Sequence, residues 1–139
     1  MRSGRGGPYG AVVVKDGEII GRGMNEVTAC NDPTAHAEMT AIREACAHLN
    51  SWHLEGCELY TSCEPCPMCM GAIYWARLDR VYYANTKEVA ANFGFNSQIF
   101  YDELALAPSQ RQITMVPLMA EEAAAAFEEW DARSDKEEY

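Results

Sequence analysis

The sequence is poor in basic residues and lacks any long hydrophobic run. It carries 11 lysine and arginine residues against 21 acidic ones, which gives a formal net charge of −10. Proteins that bind a nucleic-acid backbone usually present a basic surface, because each phosphate contact uses a lysine or an arginine. No apolar run approaches the roughly 18 residues that span a bilayer. The composition therefore favours a small, weakly charged substrate over nucleic acid, and it predicts no membrane segment.

The N-terminal residues also lack the apolar core of a secretory signal peptide. This argues against a secreted disulfide framework, although the chain has six cysteines. The sequence indicates a reduced, cytoplasmic protein, in which clustered cysteines serve metal binding or catalysis. Three cysteines lie together in the segment 63–69. For Cys30, Cys46 and Cys57, outside that cluster, we expect burial as small apolar residues.

The order of the predicted elements indicates a single α/β domain. A chain of 139 residues, 48% of them apolar, is long enough to enclose one hydrophobic core. Asp16-Gly17 predicts a hairpin turn between two strands, after which helices alternate with strands, as is typical of layered α/β folds. The predicted strands are 9–14, 18–24, 57–61, 80–84 and 112–117, and the predicted helices are 35–48, 67–76, 86–106 and 119–133.

Two short motifs carry the chemistry: His-Ala-Glu at 36–38 and Pro-Cys-Pro-Met-Cys at 65–69. Cys66 and Cys69 lie three residues apart at the start of a predicted helix, so both sulfurs reach one face, and the helix N-terminus favours the thiolate form. Zinc accepts imidazole and thiolate ligands, and a catalytic site keeps three protein ligands with a fourth position for water. The motifs therefore predict a zinc site formed by His36, Cys66 and Cys69.

Glu38 is the predicted catalytic residue. It lies two residues from His36, and residues at this spacing do not share one face of a helix. That spacing suits a carboxylate beside zinc-bound water better than a further metal ligand. Water on zinc has a pKa of about 7, so a neighbouring carboxylate can move its protons as a general acid and base.

Two other interpretations of the cysteines stay open. A closed structural zinc site would recruit Cys63 as the fourth ligand, and the protein would then be a binding module without chemistry. A Cys-x-x-Cys pair alone is also typical of redox proteins. Pro65 stiffens the chain between Cys63 and Cys66, and a redox pair has no use for His36 or Glu38, so the catalytic zinc site is the more economical interpretation.

Longer segments around the motifs resemble the cytidine deaminase superfamily, and within it the bacterial guanine deaminases are the nearest branch. His-x-Glu followed by Pro-Cys-x-x-Cys is the signature of zinc nucleobase deaminases. The resemblance implies a hydrolase that converts guanine to xanthine and ammonia, with one zinc ion per subunit. The segments that carry the likeness are 7–12, 31–38, 60–69, 71–77 and 136–139.

The resemblance also implies a fold, an assembly and substrate contacts. The family fold is a three-layer sandwich, a mixed five-stranded sheet with helices on both faces. Its guanine deaminases are homodimers that exchange C-terminal segments, here residues of about 118–139. The positions of Asn25 and Tyr139 contact the purine in that family, and Trp75 is either a wall for the ring or a core residue. The expected partner is a small nucleobase, with no nucleic acid and no membrane.

Two features depart from the family pattern. The family usually has an amphipathic helix before the first strand, whereas this sequence starts at a glycine-rich turn. The family's acidic residue after a Gly-Phe pair falls here on Asn96 or Ser97, so Asp102 or Glu103 would have to supply that carboxylate. The alternatives are deamination of another aminated ring, such as guanosine or cytosine, and deamination of tRNA adenosine, which fits the acidic composition less well.

Overall fold

The computed structural model of this chain describes residues 6–138. The predicted hairpin is confirmed, and the later elements follow the predicted alternation as far as β4. The strands are β1 (Gly10–Lys15), β2 (Glu18–Met24), β3 (Cys57–Cys63) and β4 (Arg80–Asn85). The helices are α1 (Val27–Cys30), α2 (Ala37–Leu49), α3 (Pro67–Trp75), α4 (Lys87–Ala91), α5 (Gln98–Ala105) and α6 (Ala120–Asp131), and a 3-10 turn lies at Pro108–Gln110.

The strands form a mixed sheet in the order β2-β1-β3-β4, in which β3 and β4 run parallel and the other pairs antiparallel. The prediction of five strands is wrong for the described residues, because the segment 112–117 is not a strand. The backbone N–H of Gln112 donates to the Glu103 carboxylate at 2.9 Å, and Pro117 has no N–H to donate. Residues with β propensity form a strand only where a neighbouring strand pairs with them.

Helix α2 packs on the sheet through small residues. Ala37, Ala41 and Ala45 recur at four-residue spacing on one helix face, and each is fully buried. Opposite them in β2 lie Gly21 and Gly23, where a Cβ atom would be 2.4 Å from the Ala41 carbonyl oxygen and 2.0 Å from the Ala37 carbonyl oxygen, respectively. Glycine alone permits this approach, which brings the first turn of α2 directly against the sheet.

The core lies between helices α2 and α3 and one face of the sheet. Leu54 and Leu59 are its largest fully buried side chains, and Ile73 of α3 packs in the same cluster. Side chains alternate along a strand, so the neighbouring positions of β3 and β4 face the other way. There Tyr60 stacks on Tyr82 at 4.5 Å, and the two are 39% and 40% exposed. The second helical layer expected on that face stays a prediction.

The cysteines outside the cluster differ in their burial. Cys57 is buried, as predicted, whereas Cys46 is half-buried and Cys30 is exposed. The prediction is therefore wrong for Cys30. Cys30 is exposed because it lies at the end of the four-residue helix α1, which contributes no buried residue to the core.

Contacts within the chain define two compact units, of which the first ends at Tyr101 and the second begins at Asp102. In the second unit, α6 carries no buried residue. Its Phe127 is 77% exposed, and Leu118, which precedes the helix, is 81% exposed. The single domain and the exchange of residues of about 118–139 between subunits both stay predictions. Among residues 6–138, no helix has the length and apolar character needed to cross a membrane.

Candidate metal centre and its cavity

The three predicted ligands meet where two helices begin. His36 is the N-cap residue of α2, Cys66 is the N-cap residue of α3, and Cys69 lies in the first turn of α3. His36 Nδ1 lies 3.6 Å from Cys66 Sγ and 3.5 Å from Cys69 Sγ, and the two sulfurs are 3.7 Å apart. Within the part of the chain that the structure describes, His36, Cys66 and Cys69 are the group whose ligand atoms lie close enough together, all within 4.8 Å of one another, to hold one metal ion.

These separations match the edges of a tetrahedral zinc site. Zinc–sulfur bonds of about 2.3 Å and zinc–nitrogen bonds of about 2.0 Å, at tetrahedral angles, place two sulfurs about 3.8 Å apart and a nitrogen about 3.5 Å from a sulfur. The three ligand atoms therefore surround a point at bonding distance from each of them. The residues fit zinc in their donor chemistry and in their spacing, and three ligands leave a fourth position for water.

Cys66 is prepared for metal binding by its neighbours. Its hydrogen-bond contacts with Cys69 and His36 lower the pKa of Cys66. The N-terminus of α3 acts in the same direction, because the helix dipole favours negative charge there. Pro67 at the first helical position suits this helix start, since a proline has no N–H that needs a partner. These contacts favour the thiolate form of Cys66, which is the form that binds zinc.

Cys63 does not join His36, Cys66 and Cys69 as the fourth ligand of a closed site. Its Sγ lies 3.7 Å from the carbonyl oxygen of Thr86, to which the thiol donates. The cluster whose ligand atoms lie close enough together to share a metal ion contains His36, Cys66 and Cys69 but not Cys63. The side chain that the closed interpretation needs is therefore engaged elsewhere, which favours an open, catalytic site.

Glu38 lies buried in the first turn of α2. The residue is 6% exposed, and burial raises the pKa of its carboxyl group. Thr61 of β3, also buried, donates to Glu38 Oε1 at 3.4 Å. A buried carboxyl group with a raised pKa can both accept and release a proton near neutral pH. Sequence reasoning does not identify Thr61, because its inward direction follows from the pairing of β3 with β1.

The metal centre opens into a cavity of about 610 Å³. Trp75 is not among the residues that line it; this residue ends α3 and is 66% exposed. Tyr139 lies outside the described residues. The substrate contacts predicted for these residues stay predictions. The predicted site residues that the structure brings together around the cavity are Asn25, His36, Glu38 and Cys66.

Aromatic and ion-paired side chains complete the lining. The rings of Tyr9 and Phe95 meet edge to face with their centroids 5.1 Å apart. Burial raises the pKa of Tyr9 to about 12, so its hydroxyl stays neutral. Among the described residues that line the cavity, Lys87 is the one lysine or arginine, and its Nζ lies 3.2 Å from the Glu64 carboxylate. The charge of Lys87 is therefore compensated inside the protein.

Comparison with known proteins shows what the chain is similar to. Residues 2–85 match the family described as the cytidine and deoxycytidylate deaminase zinc-binding region. The chain is 50% identical over 139 residues to a guanine deaminase of Bacillus subtilis, a match that covers 100% of this chain and 89% of that protein. It is 53% identical over 77 residues to a tRNA-specific adenosine deaminase of Aquifex aeolicus, covering 55% of this chain and 51% of that protein.

Solved structures give the same relationship. An X-ray structure of guanine deaminase from Bacillus subtilis matches 99% of this chain and 88% of its own, with a TM-score of 0.96 at 50% sequence identity. A structure of guanine deaminase from Nitrosomonas europaea matches 94% of this chain and 76% of its own, with a TM-score of 0.65 at 30% identity. The α/β fold class expected from the sequence is confirmed.

Proposed function

The chain belongs to the cytidine and deoxycytidylate deaminase zinc-binding family, and from this premise we propose that it is a zinc-dependent hydrolase that converts guanine to xanthine and ammonia. The proposal rests on one observation above all: His36, Cys66 and Cys69 are spaced as the corners of a tetrahedral zinc site. The buried Glu38 lines the same cavity. The choice of guanine is supported by the Bacillus subtilis relative, whose similarity extends over the whole chain.

Each active-site residue has a definite role in this reaction. His36, Cys66 and Cys69 would hold one zinc ion per subunit, which would supply a Lewis acid that lowers the pKa of a water molecule to about 7. Glu38 accepts a proton from the water that attacks the amine-bearing carbon, C2 of guanine. It delivers this proton to ring nitrogen N3, then takes the second proton from the added hydroxyl group and gives it to the amine, so that the carbon–nitrogen bond breaks, C2 becomes a carbonyl carbon and ammonia leaves. Burial raises the pKa of Glu38, which is the direction that a group acting as both base and acid at neutral pH requires.

Thr61 is a positioning residue in this scheme. Its hydroxyl donates to Glu38 Oε1, which leaves the other carboxylate oxygen to exchange protons with the substrate. Because Thr61 lies in the middle of β3, the sheet fixes the direction of the bond. A carboxylate held in one orientation does not have to find its reactive geometry in each turnover.

Asn25, Trp75 and Tyr139 are the proposed contacts to the base. Asn25 lines the cavity, where its carboxamide can form hydrogen bonds with a purine. Trp75 is an exposed aromatic residue at the end of α3, and such a residue is suited to packing against a ring in an assembled protein. Tyr139 is proposed from the family resemblance.

A neutral base fits the cavity better than a polyanion. The charge of Lys87 is compensated by Glu64 and Glu88, at 3.2 and 3.4 Å, and the chain has a net charge of −10. Phosphate groups of RNA would find no free cation among the described residues of this lining. These observations support guanine over tRNA adenosine, although the Aquifex aeolicus relative acts on tRNA.

A second candidate is deamination of another small aminated ring or nucleoside, such as guanosine or cytosine. The observation that favours it is the presence of Asn96 and Ser97 in the cavity lining, at the place where the family resemblance leads us to expect a carboxylate. Glu103, one of the two acids that would have to supply this carboxylate, accepts the backbone N–H of Gln112.

We further propose a cytoplasmic homodimer that exchanges segments 118–139. The exposed apolar side chains of the second unit support this assembly, because Leu118 and Phe127 are 81% and 77% exposed. Large apolar side chains in such numbers usually mark an interface. Thiolate ligands such as Cys66 and Cys69 suit a reducing compartment.

Glu38→Gln tests the proposed chemistry. The substitution keeps the size of the side chain and removes its ability to carry a proton, so we expect zinc content to be retained and xanthine formation from guanine to fall by about 1000-fold. Glu18→Gln, the same change at an exposed position in β2, serves as the control and should leave the rate unchanged. Full turnover by a zinc-loaded Glu38→Gln protein would overturn the role of Glu38.

A further inference from the structure

The metal ligand Cys66 lies between two prolines, which leave its backbone one main freedom. Pro65 and Pro67 have φ angles fixed by their rings, and a residue before a proline is confined to extended conformations. Cys66, which precedes Pro67, has φ −70° and ψ 170°, in that extended region. The main freedom that remains is rotation of the Pro65–Cys66 peptide plane. Because the Pro65 carbonyl group lies in that plane, a partner that fixes the carbonyl group also fixes how the chain enters Cys66.

A tyrosine hydroxyl from a later helix fixes that carbonyl group. The Tyr101 hydroxyl in α5 donates to the Pro65 carbonyl oxygen at 2.7 Å, a distance typical of a well-formed O–H···O hydrogen bond. Pro65 is buried and Tyr101 is half-buried, and a buried carbonyl oxygen needs a hydrogen-bond partner. The two residues are 36 positions apart in the chain, so the bond is a tertiary contact and not part of a local turn.

The chain that precedes Pro65 is held as well. The Glu64 N–H donates to the Asn85 carbonyl oxygen at 2.8 Å, and the Glu64 carboxylate accepts the backbone N–H and the Nζ of Lys87 at 3.1 and 3.2 Å. Pro65 cannot extend this series through its own backbone nitrogen, because a proline has no N–H to donate. The bond from Tyr101 therefore carries the constraint one residue further, to the peptide that joins Pro65 to Cys66.

The Tyr101 ring is itself held in place by Lys87. The Lys87 Nζ lies 5.5 Å from the centroid of the Tyr101 ring, within the range of a cation–π interaction. Lys87 also pairs with Glu64 at 3.2 Å, so the ring that bonds Pro65 is anchored on the residue directly before that proline. A hydroxyl group on a ring anchored in this way presents its proton in one direction.

We propose that Tyr101 is a positioning residue of the metal centre: its hydroxyl holds the Pro65–Cys66 peptide so that Cys66 Sγ faces the other two ligands before a metal ion binds. The sulfur lies 3.6 Å from His36 Nδ1 and 3.7 Å from Cys69 Sγ, the spacing of a tetrahedral site. Tyr101 is not among the described residues that line the cavity, so it acts through Cys66 and not on the substrate. This inference rests on the proposed zinc-dependent function and adds a residue outside its two sequence motifs.

Tyr101→Phe tests the proposal, because it keeps the ring beside Lys87 and removes only the hydroxyl group. Loss of a residue that orients a metal ligand typically lowers metal affinity by about 10- to 100-fold. We expect the zinc affinity of Tyr101→Phe, measured by competition with a chromophoric chelator, to be about 10-fold lower than that of the wild type. Tyr83→Phe is the matched control, since it removes a hydroxyl group from a tyrosine of β4 that is 52% exposed. Its zinc affinity should equal that of the wild type.

Thermal unfolding separates positioning from a general contribution to stability. A hydroxyl group that only stabilises the fold would raise the melting temperature of the zinc-free and zinc-loaded forms equally, and its removal would not change the zinc affinity of the folded protein. A hydroxyl group that holds the ligand in place makes the increase in melting temperature on zinc binding smaller in Tyr101→Phe than in the wild type. Equal zinc affinities, or equal increases in melting temperature for the two proteins, overturn the proposal.

Guanine deamination, measured on the same proteins, distinguishes failure of this proposal from failure of the proposed function. Weaker zinc binding by Tyr101→Phe supports the positioning role even if the wild type leaves guanine unchanged, in which case the substrate assignment alone fails. Equal zinc binding by a wild type and a Tyr101→Phe protein that both deaminate guanine refutes the positioning role alone. A wild type that binds no zinc refutes both.

Discussion

Replacement of Gly23 by alanine tests whether the sheet positions the metal centre. The new Cβ would lie 2.0 Å from the Ala37 carbonyl oxygen and 2.6 Å from the Ala41 nitrogen, whereas real Cβ contacts essentially never fall below 3.0 Å. Both neighbours are backbone atoms, so neither can swing aside. Helix α2 would have to move away from β2 by at least the difference between 2.0 and 3.0 Å.

That movement should lower both the melting temperature of the protein and its kcat/KM. Overpacking a core costs about 1–3 kcal/mol, and because rigid backbone is displaced here we expect about 3 kcal/mol, or about 10 °C in melting temperature. The displaced Ala37 lies between His36 and Glu38. Misplacement of catalytic groups by about 1 Å can lower the rate by about 100-fold, so we expect a loss of that size in kcat/KM.

The assay compares zinc content, thermal unfolding and guanine deamination in the wild type, Gly23→Ala and Gly71→Ala. Gly71 is the control because it lies inside α3 with no atom within 4 Å of its added Cβ. Its replacement should stabilise the helix by about 0.5–1 kcal/mol. A Gly23→Ala protein with wild-type melting temperature and activity would refute the argument that close packing of α2 on β2 sets the geometry of the site.

Three further predictions concern the ligands, the carboxylate and the substrate. Cys69→Ser should lose zinc and melt at a lower temperature than the wild type. Cys30→Ser, at an exposed position, should change neither zinc content nor melting temperature. If Cys69→Ser bound zinc with wild-type affinity, Cys69 would not be a ligand. Thr61→Val should keep zinc and lower kcat by about 10-fold, because Glu38 loses its hydrogen-bond donor. Thr61→Ser should restore kcat. Equal rates in the wild type, Thr61→Val and Thr61→Ser would exclude a role for the hydroxyl group. Raising salt from 50 to 200 mM should change kcat/KM for guanine less than about twofold, whereas an enzyme that makes several phosphate contacts to RNA would lose about 1000-fold in affinity; a steep salt dependence would favour the RNA substrate.

The meeting of His36, Cys66 and Cys69 could be predicted from the sequence because each half of the cluster is local. His36 and Glu38 share one helix start, and Cys66 and Cys69 share another, so the spacing of the residues already constrains their directions. The exact start of α2 is harder to predict from the sequence. The sequence predicts a helix from residue 35, whereas the structure starts it at Ala37 with His36 as the N-cap, a position outside the helix that lets the imidazole turn towards the sulfurs.

Features that depend on non-local pairing could not be predicted in this way. Thr61 reaches Glu38 only because β3 pairs with β1 in one register, and the contact of Tyr9 with Phe95 joins residues far apart in the chain. The expected fifth strand at 112–117 failed for the same reason, since local β propensity cannot supply a partner strand. The role of Gly21 and Gly23, which allow α2 to pack closely on the sheet, can likewise be recognised only when the position of the helix is known.

Ammonia release from a panel of rings is the most direct measurement of the central claim. The panel contains guanine, guanosine, adenine, adenosine, cytosine, cytidine and an RNA hairpin, with the zinc-loaded wild type compared with Glu38→Ala. The account predicts that guanine releases ammonia and yields xanthine with the wild type and not with Glu38→Ala. Ammonia from another ring while guanine stays inert would contradict the assignment of the substrate, and no ammonia from any member would contradict the assignment of the reaction itself.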